Sequence, residues 1–127
     1  MEERFVLSPR EAYKLCQEGA VILDIRPEAI SIFKGFDVPE VLYCTRDVIS
    51  QYIEEIPSNR KIIVADSTGV YSRDVCNALK EYGFVQVFHL AGGFVEWEHD
   101  GLPIITDNKA RLSGSCMCQL RYRDRKK

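Results

Sequence analysis

The chain has 127 residues, which is the usual length of one domain with one hydrophobic core. Apolar residues make up 46% and charged residues 28% of it, as in ordinary globular proteins, and no apolar run approaches the ~20 residues that a bilayer-spanning helix needs. The net charge is −2, but the last seven residues hold five of the 17 basic residues, so the preceding body is acidic, which argues against a nucleic-acid partner. The lack of a long apolar run argues against a membrane.

The first residues, 1–4, are acidic and no apolar signal region follows them. The sequence therefore predicts a cytoplasmic protein. An odd number of irregularly spaced cysteines is not the pattern of a disulfide framework, so we expect reduced thiols. These cysteines are Cys16, Cys44, Cys76, Cys116 and Cys118.

The N-terminal part predicts a strand, a helix and a second strand. A short apolar strand over 5–7 precedes Ser8, which can cap a helix and, with Glu11, forms the pattern of a capping box. Gly19 ends this helix. The run 21–25 is apolar without alternation, which indicates a strand buried on both faces.

The middle of the chain alternates further strands and helices. We predict a short helical stretch over 28–33, a weaker strand over 40–43 and a helix over 47–56, whose apolar residues recur every four positions. A second buried strand covers 61–65, and a helix capped by Ser72 follows. The predicted inward side chains of this helix are Val75, Cys76, Leu79 and Tyr82.

After a strand over 85–90 and a short helix over 94–100, the signals of regular structure fade. Strands separated by helices predict an α/β fold with a mostly parallel central sheet flanked by helices. We place the domain at 1–104 and a C-terminal extension, with a Cys-x-Cys motif and a basic tip, at 105–127.

The most informative feature is Asp66, which stands at the end of the second buried strand, before a short loop and a helix. Parallel α/β sheets bind ligands at the carboxyl ends of their strands. A loop that enters a helix there points several backbone N–H groups at one place, which favours an anion. The loop residues are Ser67, Thr68, Gly69, Val70, Tyr71 and Ser72.

Several ordered motifs resemble the rhodanese family. The strand 21–26 ends in Asp-x-Arg, 81–84 resembles the turn after the family's central helix, 90–97 is similar to its Gly-Gly-x-x-x-Trp segment, and 101–103 resembles its domain ending. Together they cover roughly residues 4–104 and are far more specific than any one alone. The resemblance implies a rhodanese-like three-layer sandwich.

In the family that this chain resembles, a cysteine stands at the strand end and holds sulfur as a persulfide within the loop. Here that position is Asp66, and Ser67 and Tyr71 stand where the family has basic residues. A carboxylate cannot form a persulfide, but it can accept hydrogen bonds from the loop amides. The resemblance therefore implies a non-catalytic binding or regulatory module, with a protein partner or a small anion at the loop face, no cofactor and no thiosulfate sulfurtransferase activity.

Charged residues near the loop have a structural interpretation. Asp24 and Arg26, at the end of the first buried strand, are expected to form local hydrogen bonds that hold neighbouring loops. Arg73 lies one step beyond the loop. A remote alternative makes Asp66 an aspartyl phosphoryl acceptor with Asp24 as a metal ligand, since that chemistry needs an acidic cluster.

Cys116 and Cys118 are the second candidate site. Their i, i+2 spacing places both thiols on one face of an extended segment. They can form a reactive dithiol, carry sulfur in place of a loop cysteine, or supply half of a four-ligand metal site. The alternative function is thus a sulfurtransferase-like or thiol-redox enzyme. The sequence leaves the oligomeric state open.

Overall fold

A computed structural model describes residues 5–106 and contains a five-stranded parallel sheet with helices on both faces. The strands of this sheet are β1 (Val6–Leu7), β2 (Val21–Asp24), β4 (Val41–Tyr43), β5 (Ile62–Ala65) and β6 (Val87–Leu90). Their order is β1-β6-β5-β2-β4, and every neighbouring pair is parallel. The α/β class and the mostly parallel central sheet predicted from the sequence are confirmed.

Four α-helices of the described chain lie between these strands or follow them, and the first begins at a capping box. Ser8 accepts a hydrogen bond from the Glu11 amide at 3.2 Å and its own amide donates to the Glu11 carboxylate at 2.9 Å, so the predicted capping box is present. The α-helices are α1 (Pro9–Gln17), α2 (Glu28–Ser31), α3 (Ser72–Glu81) and α4 (Gly93–His99).

Two apolar clusters cover the two faces of the sheet. Val21 and Leu23 pack with α3 residues on one face, and Ile22 lies in the other cluster with residues of α1 and α4. Successive side chains of a strand point to opposite faces, so a strand between two helical layers needs apolar residues at every position. The unbroken apolar runs of β2 and β5 follow from this arrangement.

The predicted helix over 47–56 is wrong in type. The chain forms two 3₁₀ segments, Arg46–Gln51 and Ile53–Glu55, with a break at Tyr52, where φ is −124°. Four of its apolar residues are β-branched, which disfavours a continuous α-helix. The segment still buries Ile49 and Ile56 against the core.

Tyr82 corrects a second expectation, because its side chain is 56% exposed. The residue follows the last turn of α3, and its amide donates to the carbonyls of Ala78 and Leu79. Phe84 fills the adjacent core position instead, after the chain has turned.

A small antiparallel sheet lies apart from the main one. It pairs β3 (Lys34–Phe36) with β7 (Ile104–Thr106), and the register places Lys34 opposite Thr106. Neither strand was predicted, and β7 runs two residues past the domain boundary placed at 104. None of the helices within residues 5–106 combines the length and apolarity that crossing a bilayer requires.

Candidate functional site

The site is built at the carboxyl end of β5. Asp66 follows the strand directly and is only 5% exposed. Its two carboxylate oxygens accept hydrogen bonds from the backbone amides of Gly69, at 2.5 Å, and Tyr71, at 2.6 Å. The loop therefore curls around the carboxylate, which fills the place where the sequence predicts an anion.

The first turn of α4 forms hydrogen bonds with the backbone of this loop. The carbonyl of Asp66 accepts from the Phe94 amide at 2.8 Å, and that of Ser67 accepts from the Val95 amide at 3.0 Å. Gly93 lies against both carbonyl groups, with space for no side chain. The first turn of α4 thus positions the loop through backbone groups alone.

Ser72 does not cap α3 as predicted. It is the first residue of that helix, and its buried hydroxyl has no hydrogen-bond partner among residues 5–106. The carboxylate of Asp66 instead accepts the amide of Tyr71, the residue before the helix. No described side chain therefore accepts the first amides of α3 in the way predicted for Ser72.

The rest of the loop faces outward. Val70 and Tyr71 are exposed, as is Thr68, and the guanidinium of Arg46 lies over the Tyr71 ring, 3.8 Å from its centroid. Sequence reasoning missed Arg46, because nothing in its neighbourhood signals that a 3₁₀ segment passes the loop. A cation–π contact of this kind holds the aromatic side chain in one orientation.

Asp24 and Arg26 form a separate buried unit at the end of β2. The guanidinium donates to the two carboxylate oxygens at 2.9 and 2.7 Å and also to the carbonyl of Lys34 at 2.8 Å. It lies over the Phe94 ring, 4.3 Å from the centroid. The expected local hydrogen bonds are present, and the contact with Lys34 holds the start of β3. Arg73 is exposed on α3 and lines a groove with Phe5.

A groove of about 340 Å³ lies beside the loop. Ser67 contributes from the loop and Arg26 from the buried pair, while three large apolar side chains on its walls are exposed. These side chains are Ile30, Phe33 and Val95.

The described cysteines are not set up as nucleophiles. Cys16, Cys44 and Cys76 are buried thiols, not disulfides. Burial raises the pKa of Cys16 to about 12, and burial likewise raises the pKa of Cys76. A reactive cysteine needs the opposite environment, one that favours the thiolate. Cys116 and Cys118, the second candidate site predicted from the sequence, lie outside the described residues.

Three side chains at the end of α4 have the spacing of metal ligands. Glu96, His99 and Asp100 could each offer one ligand atom. They are largely exposed, and acidic groups on a helix surface commonly lie together without an ion. We therefore assign no function to these three side chains.

Comparisons with known proteins agree with this architecture. The family model described as rhodanese-like domain matches residues 8–100. The chain is 33% identical over 108 residues to the thiosulfate sulfurtransferase GlpE of Actinobacillus pleuropneumoniae serotype 5b (strain L20), covering 84% of this chain and 98% of that protein. It is 35% identical over 103 residues to the protein of the same name from Haemophilus influenzae (strain PittEE), covering 79% and 93%. A rhodanese-related protein from Thermoplasma volcanium has a similar fold, with a TM-score of 0.71, 17% identity and coverage of 79% and 96%.

Proposed function

This chain belongs to the rhodanese-like domain family, and we propose that within it the chain is a non-catalytic binding or regulatory module. In this proposal Asp66 stands at the position of the family's sulfur-accepting cysteine. Its carboxylate occupies the anion cradle of the loop, so the protein neither takes nor donates sulfur there.

One observation carries the proposal: both oxygens of the Asp66 carboxylate accept loop amides, from Gly69 and Tyr71. Charge-assisted hydrogen bonds of this kind are among the stronger ones in proteins. The donors that would otherwise stabilise a thiolate or persulfide are thus engaged by a group with no sulfur chemistry.

The proposed ligand of the loop face is a protein partner. Exposed apolar side chains gathered around a groove are typical of interaction sites, and here Ile30, Phe33 and Val95 surround one beside Ser67. The Lys34–Glu98 ion pair, exposed at the same groove, gives it a polar edge. Buried thiols in the described chain support a reducing, cytoplasmic location.

The phosphoryl-acceptor alternative has little support. It needs Asp24 or another carboxylate to hold a metal beside Asp66. Both oxygens of Asp24 already accept hydrogen bonds from Arg26, which neutralises the charge that a cation would require. The thiol-enzyme alternative, through Cys116 and Cys118, requires a direct test.

That test is sulfur transfer from thiosulfate to cyanide, followed by thiocyanate release, with the Haemophilus influenzae relative as the positive control. We expect no turnover by the full chain. Turnover that disappears in Cys116→Ser or Cys118→Ser would establish the thiol enzyme. Turnover that survives both substitutions would contradict the proposal.

The variant Asp66→Cys sharpens the test. We expect it to restore little transfer, because Ser67 and Tyr71 do not supply the positive charge that the family's loop provides. Substantial turnover by this variant would show that the loop is otherwise complete.

Partner binding is tested by affinity capture with the full chain. Phe33→Asp should abolish capture, whereas Val85→Asp, at an exposed valine outside the groove, should leave it unchanged. Equal loss in both variants would refute binding through this groove.

A further inference from the structure

A second groove, of about 380 Å³, lies between β1, α3 and β6. It is separate from the groove beside the loop and has the size of a small-molecule site. Its lining combines an aromatic ring, two cations, an amide and an imidazole. The lining residues are Phe5, Val6, Arg73, Cys76, Asn77, Lys80 and His89.

The polar side chains of α3 form one stripe. Arg73, Asn77 and Lys80 are spaced three and four positions apart, so they share a helix face above the groove. Within residues 5–106 no carboxylate lines the groove, and neither Arg73 nor Lys80 forms an ion pair with a described residue. The ammonium of Lys80 lies 3.1 Å from the centroid of the Phe5 ring. The stripe thus presents two positive charges that have no ion-pair partner among residues 5–106.

His89 provides an independent observation. The side chain lines the groove from β6, is 7% exposed, and its Nδ1 has no hydrogen-bond partner among the described residues. A buried polar atom without a partner is costly and uncommon in native structures. Within residues 5–106 the groove therefore combines an unpartnered buried imidazole nitrogen with two cations that form no ion pair.

We infer that this groove binds a phosphate monoester whose organic part is aromatic. Two cations and two neutral hydrogen-bonding side chains suit a divalent oxyanion better than a single carboxylate. Val6 and the part of the Phe5 ring that the Lys80 ammonium leaves uncovered offer apolar contact for a flat ring, and the volume accommodates both parts. The inference does not depend on the role of Asp66 in the loop.

The pKa of His89 should also indicate whether the groove holds a ligand. Burial is the main cause that lowers its pKa, and the charges of Arg73 and Lys80 lower it further, while the Asp66 carboxylate raises it. Of the described residues before α1, the uncharged Phe5 and Val6 line this wall. A bound dianion would offset the two cations, so the pKa of His89 should rise when the groove is filled.

The experiment is a titration of the full chain with phenyl phosphate, followed by the imidazole proton resonances of the two histidines. We expect saturable shifts at His89 and a higher pKa for it, with no comparable change at His99, which is 80% exposed on α4. Inorganic phosphate should bind more weakly and phenol not at all. Equal shifts at both histidines, or none at His89, would overturn the inference.

Matched variants locate the site. Arg73→Gln and Lys80→Gln should each weaken phenyl phosphate binding about tenfold or more, because each removes a charge-assisted contact. Lys61→Gln, at an exposed lysine away from the groove, should leave binding unchanged. Unaltered affinity in both groove variants would contradict the proposed contacts, and circular dichroism checks that each variant is folded.

The chain's own Glu2 and Glu3 are the competing occupants, since they precede Phe5 in sequence. The double variant Glu2→Gln, Glu3→Gln separates the two cases. If phenyl phosphate shifts His89 only in that variant, the groove is occupied by the N-terminus and the inference of an external ligand fails. Equal binding with and without the substitutions supports it.

Discussion

Two buried carboxylates lie at the ends of neighbouring parallel strands and are stabilised in different ways. Asp24 ends β2 and Asp66 follows β5, one residue past the Ala65 that pairs with Asp24. Asp24 is bound by the guanidinium of Arg26, whereas Asp66 accepts backbone amides of its own loop. The ends of two neighbouring strands thus hold one carboxylate in an ion pair and the other by backbone amides.

Because their partners differ, we expect Asp24 to have a structural role and Asp66 to determine what the loop can bind. Asp24 is neutralised by the side chain of Arg26, which also holds the start of β3 through the carbonyl of Lys34. An anion held by backbone amides leaves the loop able to accept another anion if the side chain changes. We therefore expect the first site to respond to mutation through stability and the second through ligand chemistry.

The largest effect is expected from Asp24→Ala. It leaves the buried guanidinium of Arg26 without its counter-charge, which typically costs about 3–5 kcal/mol of the free energy of unfolding. Urea denaturation measures this loss. Glu98→Gln, which removes the exposed ion pair with Lys34, is the control and should cost less than about 1 kcal/mol. Similar losses in the two variants would contradict the contrast between buried and exposed pairs.

Gly93→Ala should come next, because it presses on the backbone that forms the cradle. A Cβ there would lie 2.5 Å from the carbonyl oxygen of Asp66, and φ is +63°. Backbone strain and overpacking together should lower the free energy of unfolding by about 2–4 kcal/mol. Gly101→Ala has a similar φ of +78° but no atom within 4 Å, so it measures the conformational cost alone. Equal losses would show that the contact is unimportant.

Asp66→Ala should cost less, about 1–3 kcal/mol, because water can partly replace the carboxylate at the amides of Gly69 and Tyr71. The vacated cradle should then bind sulfate, so sulfate should raise the melting temperature of this variant more than that of the unsubstituted chain. Asp24→Ala should show no such gain. Equal sulfate effects in all three proteins would refute an anion cradle at the loop.

Several features that are local in sequence were predicted correctly, although the Ser72 cap and the type of the helix over 47–56 were not. The capping box of Ser8 and Glu11 is formed within one helical turn, and the unbroken apolar runs of β2 and β5 follow directly from burial on both faces. The position of Asp66 at the end of such a strand follows from the same pattern. Each of these depends on a few adjacent residues.

Features that depend on distant segments were missed. β3 and β7 are three residues each and pair across most of the chain, so neither contains a period long enough to detect. The contact of Arg46 with Tyr71 joins a 3₁₀ segment to the loop, and the unpartnered Nδ1 of His89 is visible only once β6 lies beside α3. Such features are set by tertiary packing.

The smallest expected effect is a change in the pKa of His89, which allows a direct comparison of the two carboxylates. Burial, Arg73 and Lys80 lower its pKa, and the negative charge of Asp66 opposes them. Asp66→Asn removes that charge, so the pKa of His89 should fall further.

The same shift has a consequence for stability. A histidine whose pKa is lowered on folding binds more protons when unfolded, so its contribution is present above the unfolded pKa and is lost as the pH falls through the folded value. Asp66→Asn should therefore steepen the loss of stability below about pH 6.5. Asp24→Asn should leave the His89 titration unchanged, because the guanidinium of Arg26 already offsets the charge of Asp24. Proton NMR of His89 in the two variants tests both statements, and an equal shift in both would mean that the amide-bound and guanidinium-bound carboxylates are electrostatically alike.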